Sequence, residues 1–150
     1  MASTTGVKYF TKNVTAIADN TATAVLTVAI PNQNLRAQVM VQLVGSLGAG
    51  GAVGVNEATG TVSYNIGIAK RTGVAAVVTA GTAYGSGMAS LAGAATITVT
   101  AAASSIAGGT GANTFTVNVT IAKGSGSSDN HTCDVLAQVF DPGLKGVTVS

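Results

Sequence analysis

The chain has 150 residues and a formal charge of +2, from seven basic and five acidic side chains. Only 8% of its residues are charged, against about 25% in an ordinary soluble domain. One Cys and one His exclude a disulfide scaffold and a four-ligand structural zinc site. Scarce Leu, Glu, Lys and Arg exclude a coiled coil, and 47% hydrophobic residues argue against disorder.

Twenty-six Ala, 21 Thr, 20 Val and 20 Gly set the texture, and β-branched residues alternating with small or polar ones predict strands. The first runs over residues 7–17. Asp19-Asn20 is a turn, and on a second strand Ala24, Leu26, Val28 and Ile30 alternate with Val25, Thr27 and Ala29, the pattern of a strand covered on both sides. Pro31 to Asn34 ends it, since Pro cannot donate to a ladder. Val39, Val41 and Leu43 alternate with Gln38, Met40 and Gln42 on a third. Residues 45–60 read as a long glycine-rich loop. Its spacing fails the dinucleotide pattern, because the sixth position counted from Gly48 is Val53.

Val62, Tyr64, Ile66 and Ile68 form the inward face of a fourth strand, and residues 73–80 give a fifth. Tyr84 sits in a predicted loop, and residues 86–95 permit a turn or two of helix. Residues 96–100 alternate cleanly. After a loop at 107–113, Phe115, Val117, Val119 and Ile121 oppose Thr116, Asn118 and Thr120. A second loop covers 124–130, and Cys133, Val135, Ala137 and Val139 then alternate with Asp134, Leu136, Gln138 and Phe140. Asp141-Pro142-Gly143 breaks this last strand. The fold class is therefore all-β: an antiparallel two-sheet sandwich of about eight strands, jelly-roll-like or immunoglobulin-like. One domain spans 1–150, with extended tails at 1–6 and 141–150.

Searches for chemistry mostly fail. His131 follows a run of turn formers and reads as a surface or turn histidine. Cys133, two residues on, shares its face on a strand, which leaves a weak nucleophile–base alternative. A buried cysteine acting as a small hydrophobe is the commoner case. Asp129, Asp134 and Asp141 read as solvated turn aspartates, with no calcium-loop pattern. The lone basic pair Lys70-Arg71 falls short of the 6–10 phosphate contacts common in duplex binding. Three Asn-x-Thr matches, at Asn13, Asn118 and Asn130, are discounted because no secretory leader is read. No apolar run reaches the ~20 residues of a membrane helix.

The Ala/Gly/Thr/Val-rich strands and the polar hairpin over 123–132 resemble small virion proteins of tailed bacteriophages. These are β-sandwich components that decorate or cement capsids, or build fibres and tails. The resemblance implies a non-enzymatic capsid decoration or cement subunit, made in the host cytoplasm and resident in the virion. Its partners would be further copies of itself and other virion proteins such as the major capsid protein. No cofactor, nucleic acid, membrane or small-molecule substrate is expected. The alternative is a tail or fibre component, or an adhesin-type module recognising a surface glycan or receptor through Tyr84. In either case Leu144, Val147 and Val149 are candidates for a tail that adds to a neighbour's sheet edge.

Overall fold

A computed structural model of the chain describes residues 6–47, 58–90, 97–123 and 130–150. Ten strands lie within them: β1 (Val7–Ile17), β2 (Thr23–Ile30), β3 (Leu35–Ser46), β4 (Ala58–Lys70), β5 (Val77–Ala80), β6 (Tyr84–Ser90), β7 (Ile97–Ala103), β8 (Asn113–Lys123), β9 (His131–Phe140) and β10 (Thr148–Val149). One sheet has six strands, ordered β1-β9-β3-β4-β5, with β6 also on β4. The other has four, ordered β10-β2-β8-β7. Every pairing is antiparallel.

This is the expected sandwich, but its division into six and four strands is not that of a jelly roll. The central order β2-β8-β7 against β9-β3-β4 is instead the immunoglobulin order of B-E-D against F-C-C′. The departure lies at the edges, where N-terminal β1 flanks β9 and C-terminal β10 flanks β2.

The alternation predicted from sequence is what packs. Val39, Val41, Leu43, Val62, Ile66, Val117, Val119, Ile121, Val135 and Val139 are all buried between the sheets. Two bulges adjust the pattern. On β1 the register shifts between Val14 and Ile17, with Ala16 in the left-handed region, and this turns Ile17 inward. On β2 a shift between Ala24 and Leu26 buries both Val25 and Leu26 and leaves Ala24 exposed.

Both ends of the predicted glycine-rich loop belong to strands. Gly45 and Gly60 pair directly across β3 and β4 on the inner face. A Cβ at either would lie 2.8 Å from Cγ2 of Val99 on the opposite sheet. These glycines let the two sheets close on one another, so they mark a narrow gap and not a turn. Residues 48–57 lie outside the described set. The helical turn expected over 86–95 is also corrected, because Tyr84–Ser90 pair with β4 as β6; residues 91–96 are outside the described set.

The C-terminal segment crosses from β9 in the six-stranded sheet to the edge of the four-stranded sheet of the same chain. Asp141 Oδ2 accepts the amides of Gly146 and Val147 at 2.8 and 3.2 Å, and Leu144 N–H donates to the Asp141 carbonyl at 2.9 Å. This turn delivers Val147 fully into the core, and Thr148 and Val149 pair with Ala29 and Val28 of β2. The neighbour-reaching tail of Leu144, Val147 and Val149 is thus corrected: Val147 and Val149 complete this chain's own edge, and only Leu144 is exposed. The N-terminal extension at 1–5 lies outside the described residues.

Gly60→Ala should destabilise the fold by about 1–3 kcal/mol through overpacking against Val99. Val99→Ala should cost less in that background than alone, as read from urea midpoints in a double-mutant cycle. Additive losses would show that the gap is not what selects glycine.

Candidate functional site

The two outer faces are built from different residues. On the four-stranded sheet the outward positions are small: Thr27, Thr98, Thr100, Ala102 and Thr114 are exposed, and Ala29, Thr116, Asn118 and Thr120 are half-buried. The six-stranded sheet instead carries most of the large apolar surface. Nine large hydrophobic side chains are exposed among the described residues, and seven of them (Tyr9, Met40, Val44, Val77, Tyr84, Leu136 and Phe140) lie on this face. Of these, Tyr9, Met40 and Leu136 line one small depression with Gln42 and Gln138, and grouped apolar side chains suit an interaction surface better than scattered ones.

Register arranges these side chains in rows. Tyr9, Gln138, Met40 and Asn65 stand side by side across β1, β9, β3 and β4. The next row is Thr11, Leu136, Gln42, Ser63 and Tyr84, and the one after it Asn13, Asp134, Val44 and Thr61. Between the last two rows lies a shallow depression of about 480 Å³ whose lining includes Thr11, Asn13, Gln42, Val44, Asp134 and Leu136. Asn13 Nδ2 donates to Asp134 Oδ1 at 2.6 Å, and Gln138 Nε2 to the Tyr9 hydroxyl at 3.4 Å. The face therefore presents amides, hydroxyls and apolar side chains, with Asp134 and Lys12 at the depression and Arg36 at one corner. It offers contact area and hydrogen bonds, the chemistry of a docking surface.

Tyr84 is 65% exposed, as a surface-binding role requires, but it opens β6 opposite Ser63 and does not sit in a loop. Sequence reading singled out Tyr84 alone. Tyr9, Met40, Leu136 and Phe140 occupy outward positions whose partners are set by strand order, which alternation within one strand does not reveal.

His131 and Cys133 do share a face, but it is the inner one, and both are fully buried. His131 is thus no surface histidine. Burial pushes the Cys133 thiol up to about 12, first by desolvation and then through the nearby Asp134 charge. It stays protonated at neutral pH, so it is poorly suited to nucleophilic attack. His131 Nε2 lies 2.9 Å from Asp19 Oδ1, and the Lys123 amide donates to the same oxygen at 2.9 Å. Asp19 sits in the predicted β1–β2 turn, where Asn20 takes a left-handed φ of 52°. The pair ties that turn to the end of β8 and the start of β9. Among the described residues no three His, Cys, Asp or Glu side chains gather as a metal site.

The hydrogen bond with His131, helped by the Lys123 amide, holds the Asp19 carboxyl below its usual value. A lowered folded value adds stability above the unfolded pKa of about 3.9, and that stability fades as pH falls through the folded value. Asp19→Asn should therefore cost about 1–2 kcal/mol at pH 7. The difference from wild type should shrink below about pH 4, as followed by urea unfolding across pH. A pH-independent difference would assign the pair no role in acid stability.

No protein-family model matches the chain, and no curated protein matches it in sequence. Among solved structures it is similar to the tailspike protein of Acinetobacter baumannii phage AM24, with a TM-score of 0.55 at 8% identity. That alignment covers 100% of this chain and 29% of the tailspike. The tailspike protein gp49 of Acinetobacter baumannii bacteriophage Fri1, a capsular polysaccharide depolymerase, aligns with a TM-score of 0.40 and 13% identity, over 99% of this chain and 20% of its own. The chain thus spans less than a third of either tailspike, and with the first it shares a fold.

Proposed function

We propose that this chain is a non-enzymatic structural component of a phage tail or fibre, and that the outer face of its six-stranded sheet is the surface by which it associates. The observation that carries this reading is the alignment of the whole chain with one part of a tailspike. The capsid decoration reading rests on compositional texture, and neither matched structure is a capsid protein. A tail module needs a stiff unit and uncharged contact area, and this fold supplies both.

The partner that fits the outer face is a second copy. A symmetric contact lays a surface on itself, so every charge meets its own kind or a near neighbour. The sole acid in the rows is Asp134, already bound by Asn13, which leaves little like-charge repulsion to overcome. Depletion of charge with retention of Tyr, Met and Phe is the composition of interface centres.

Two measurements test the reading. Gold-labelled antibody to the chain should decorate the tails of virions that carry it; label over heads, or on no part of the virion, overturns the tail assignment. Wild type should sediment as an oligomer, and Leu136→Lys should weaken association by at least about tenfold, or 1.4 kcal/mol, with its circular dichroism unchanged. A wild-type monomer, or a variant of undiminished mass, would refute the interface.

A further inference from the structure

Charge on this molecule is sorted between its ends. Phe140 of β9 pairs with both Val7 and Gln38, and Leu35 pairs with Lys70, so the start of β1, the start of β3, the end of β4 and the turn after β9 share one end. Lys8, Arg36, Lys70, Arg71 and Lys145 all lie there, five of the seven cations in the chain. The hydrogen-bonded pair of His131 with Asp19 is at the opposite end.

Among the described residues the one acid at the basic end is buried, with Oδ1 unpartnered. Asp141 is fully buried, and its Oδ2 is taken by two backbone amides of its own turn. Lys70 is 5% exposed and has no carboxylate partner among the described residues. Its ammonium donates to the carbonyls of Val74 at 2.5 Å and Gly111 at 2.6 Å and to Asn113 Oδ1 at 2.7 Å. Neutral oxygens satisfy its hydrogen bonds, and the positive field over this end is carried chiefly by the exposed Arg36 and Lys145.

Above it lies a depression of about 440 Å³ lined by Asn34, Arg36, Lys70, Pro142, Gly143 and Lys145, among others. Arg36 and Lys145 are exposed, and neither forms an ion pair among the described residues. The stem of Lys145 lies over Gly143, where a Cβ would come within 3.1 Å of its Cγ. Asn34 uses its Oδ1 for the Thr72 amide, which leaves its NH₂ group to donate.

We infer that this basic depression is a binding site for an oxyanion borne on a saccharide, with Arg36 and Lys145 as its charged arms. A guanidinium grips a carboxylate, sulfate or phosphate by two parallel hydrogen bonds, and an ammonium adds a point charge. The Asn34 amide suits a neighbouring hydroxyl. Duplex nucleic acid is disfavoured, because the five cations at this end fall short of the 6–10 phosphate contacts common in duplex binding. The anion site stands on charge and geometry; only the origin of the saccharide, a bacterial surface, rests on the tail reading.

The test titrates the full chain with hexagalacturonate at low salt, alongside neutral maltohexaose and a single-stranded oligonucleotide of equal charge. Hexagalacturonate should bind and maltohexaose should not. Arg36→Ser and Lys145→Ser should each weaken binding at least about fivefold, whereas Lys123→Ser, the same charge change at the far end, should stay within about twofold. Absence of binding overturns the site. An equal loss in Lys123→Ser would show a net-charge effect only, and tighter binding of the oligonucleotide would overturn the saccharide assignment. Hexagalacturonate binding with gold label absent from tails would leave the anion site intact and sink the tail reading alone.

Discussion

The narrow gap between the two sheets governs this structure. Close-packed interiors tolerate neither voids nor overlap, and here the inner faces meet through Val, Ile and Ala with few large side chains. Where the gap is tightest, Gly45 and Gly60 stand opposite each other and Val99 reaches between them. Val99 is thus the contact by which β7 docks on β3 and β4. Among the described residues, Phe115 and His131 are the only rings among the largest fully buried side chains. A core this thin draws its stability from area spread over long strands. That explains strands of 10–13 residues at β1, β3, β4, β8 and β9, well above the usual 5–6.

What was legible in sequence follows from the same physics. Alternation reports which side chains point the same way along one strand, so the inward sets on β3, β4, β8 and β9 could be read directly. It does not report which strands are neighbours. The rows that bring Tyr9 beside Gln138 and Met40 were invisible for that reason, as was the meeting of Asp19 with His131 across 112 positions. Glycine was the main source of error. Its freedom in turns and its smallness in tight packing give one and the same sequence signal, and at Gly45 and Gly60 smallness was the cause. The C-terminal tail poses a different problem: alternation marks Val147 and Val149 as strand-prone, but sequence cannot say whose edge a strand joins.

Among the described residues, each lateral edge of the sandwich carries a feature that discourages further pairing. The β1 edge carries exposed Lys8 and Lys12 and a bulge at Ala16, and both features discourage pairing. On the opposite side β5 and β6 divide the edge of β4 between them, with a third bulge between Thr61 and Val62. The β10 edge is two residues long. At β7 the outward amide of Ala103 is taken by the Tyr64 hydroxyl at 3.1 Å, and Gly85 lies near the outward carbonyl of Val99. With edges protected and one outer face covered by small Thr and Ala side chains, the routes left for specific association are the apolar face of the six-stranded sheet and the basic end. These two surfaces share the corner held by Arg36, which belongs to the outward row of β3 and also lines the basic depression. A second copy laid on the sheet face would therefore bring its own Arg36 toward the shared boundary, and the geometry of that contact would fix how far apart two anion sites stand. Spacing of this kind is what turns a weak single site into a strong one for a repeating polymer, so the neutral face and the charged end are better understood as two parts of one surface than as alternatives.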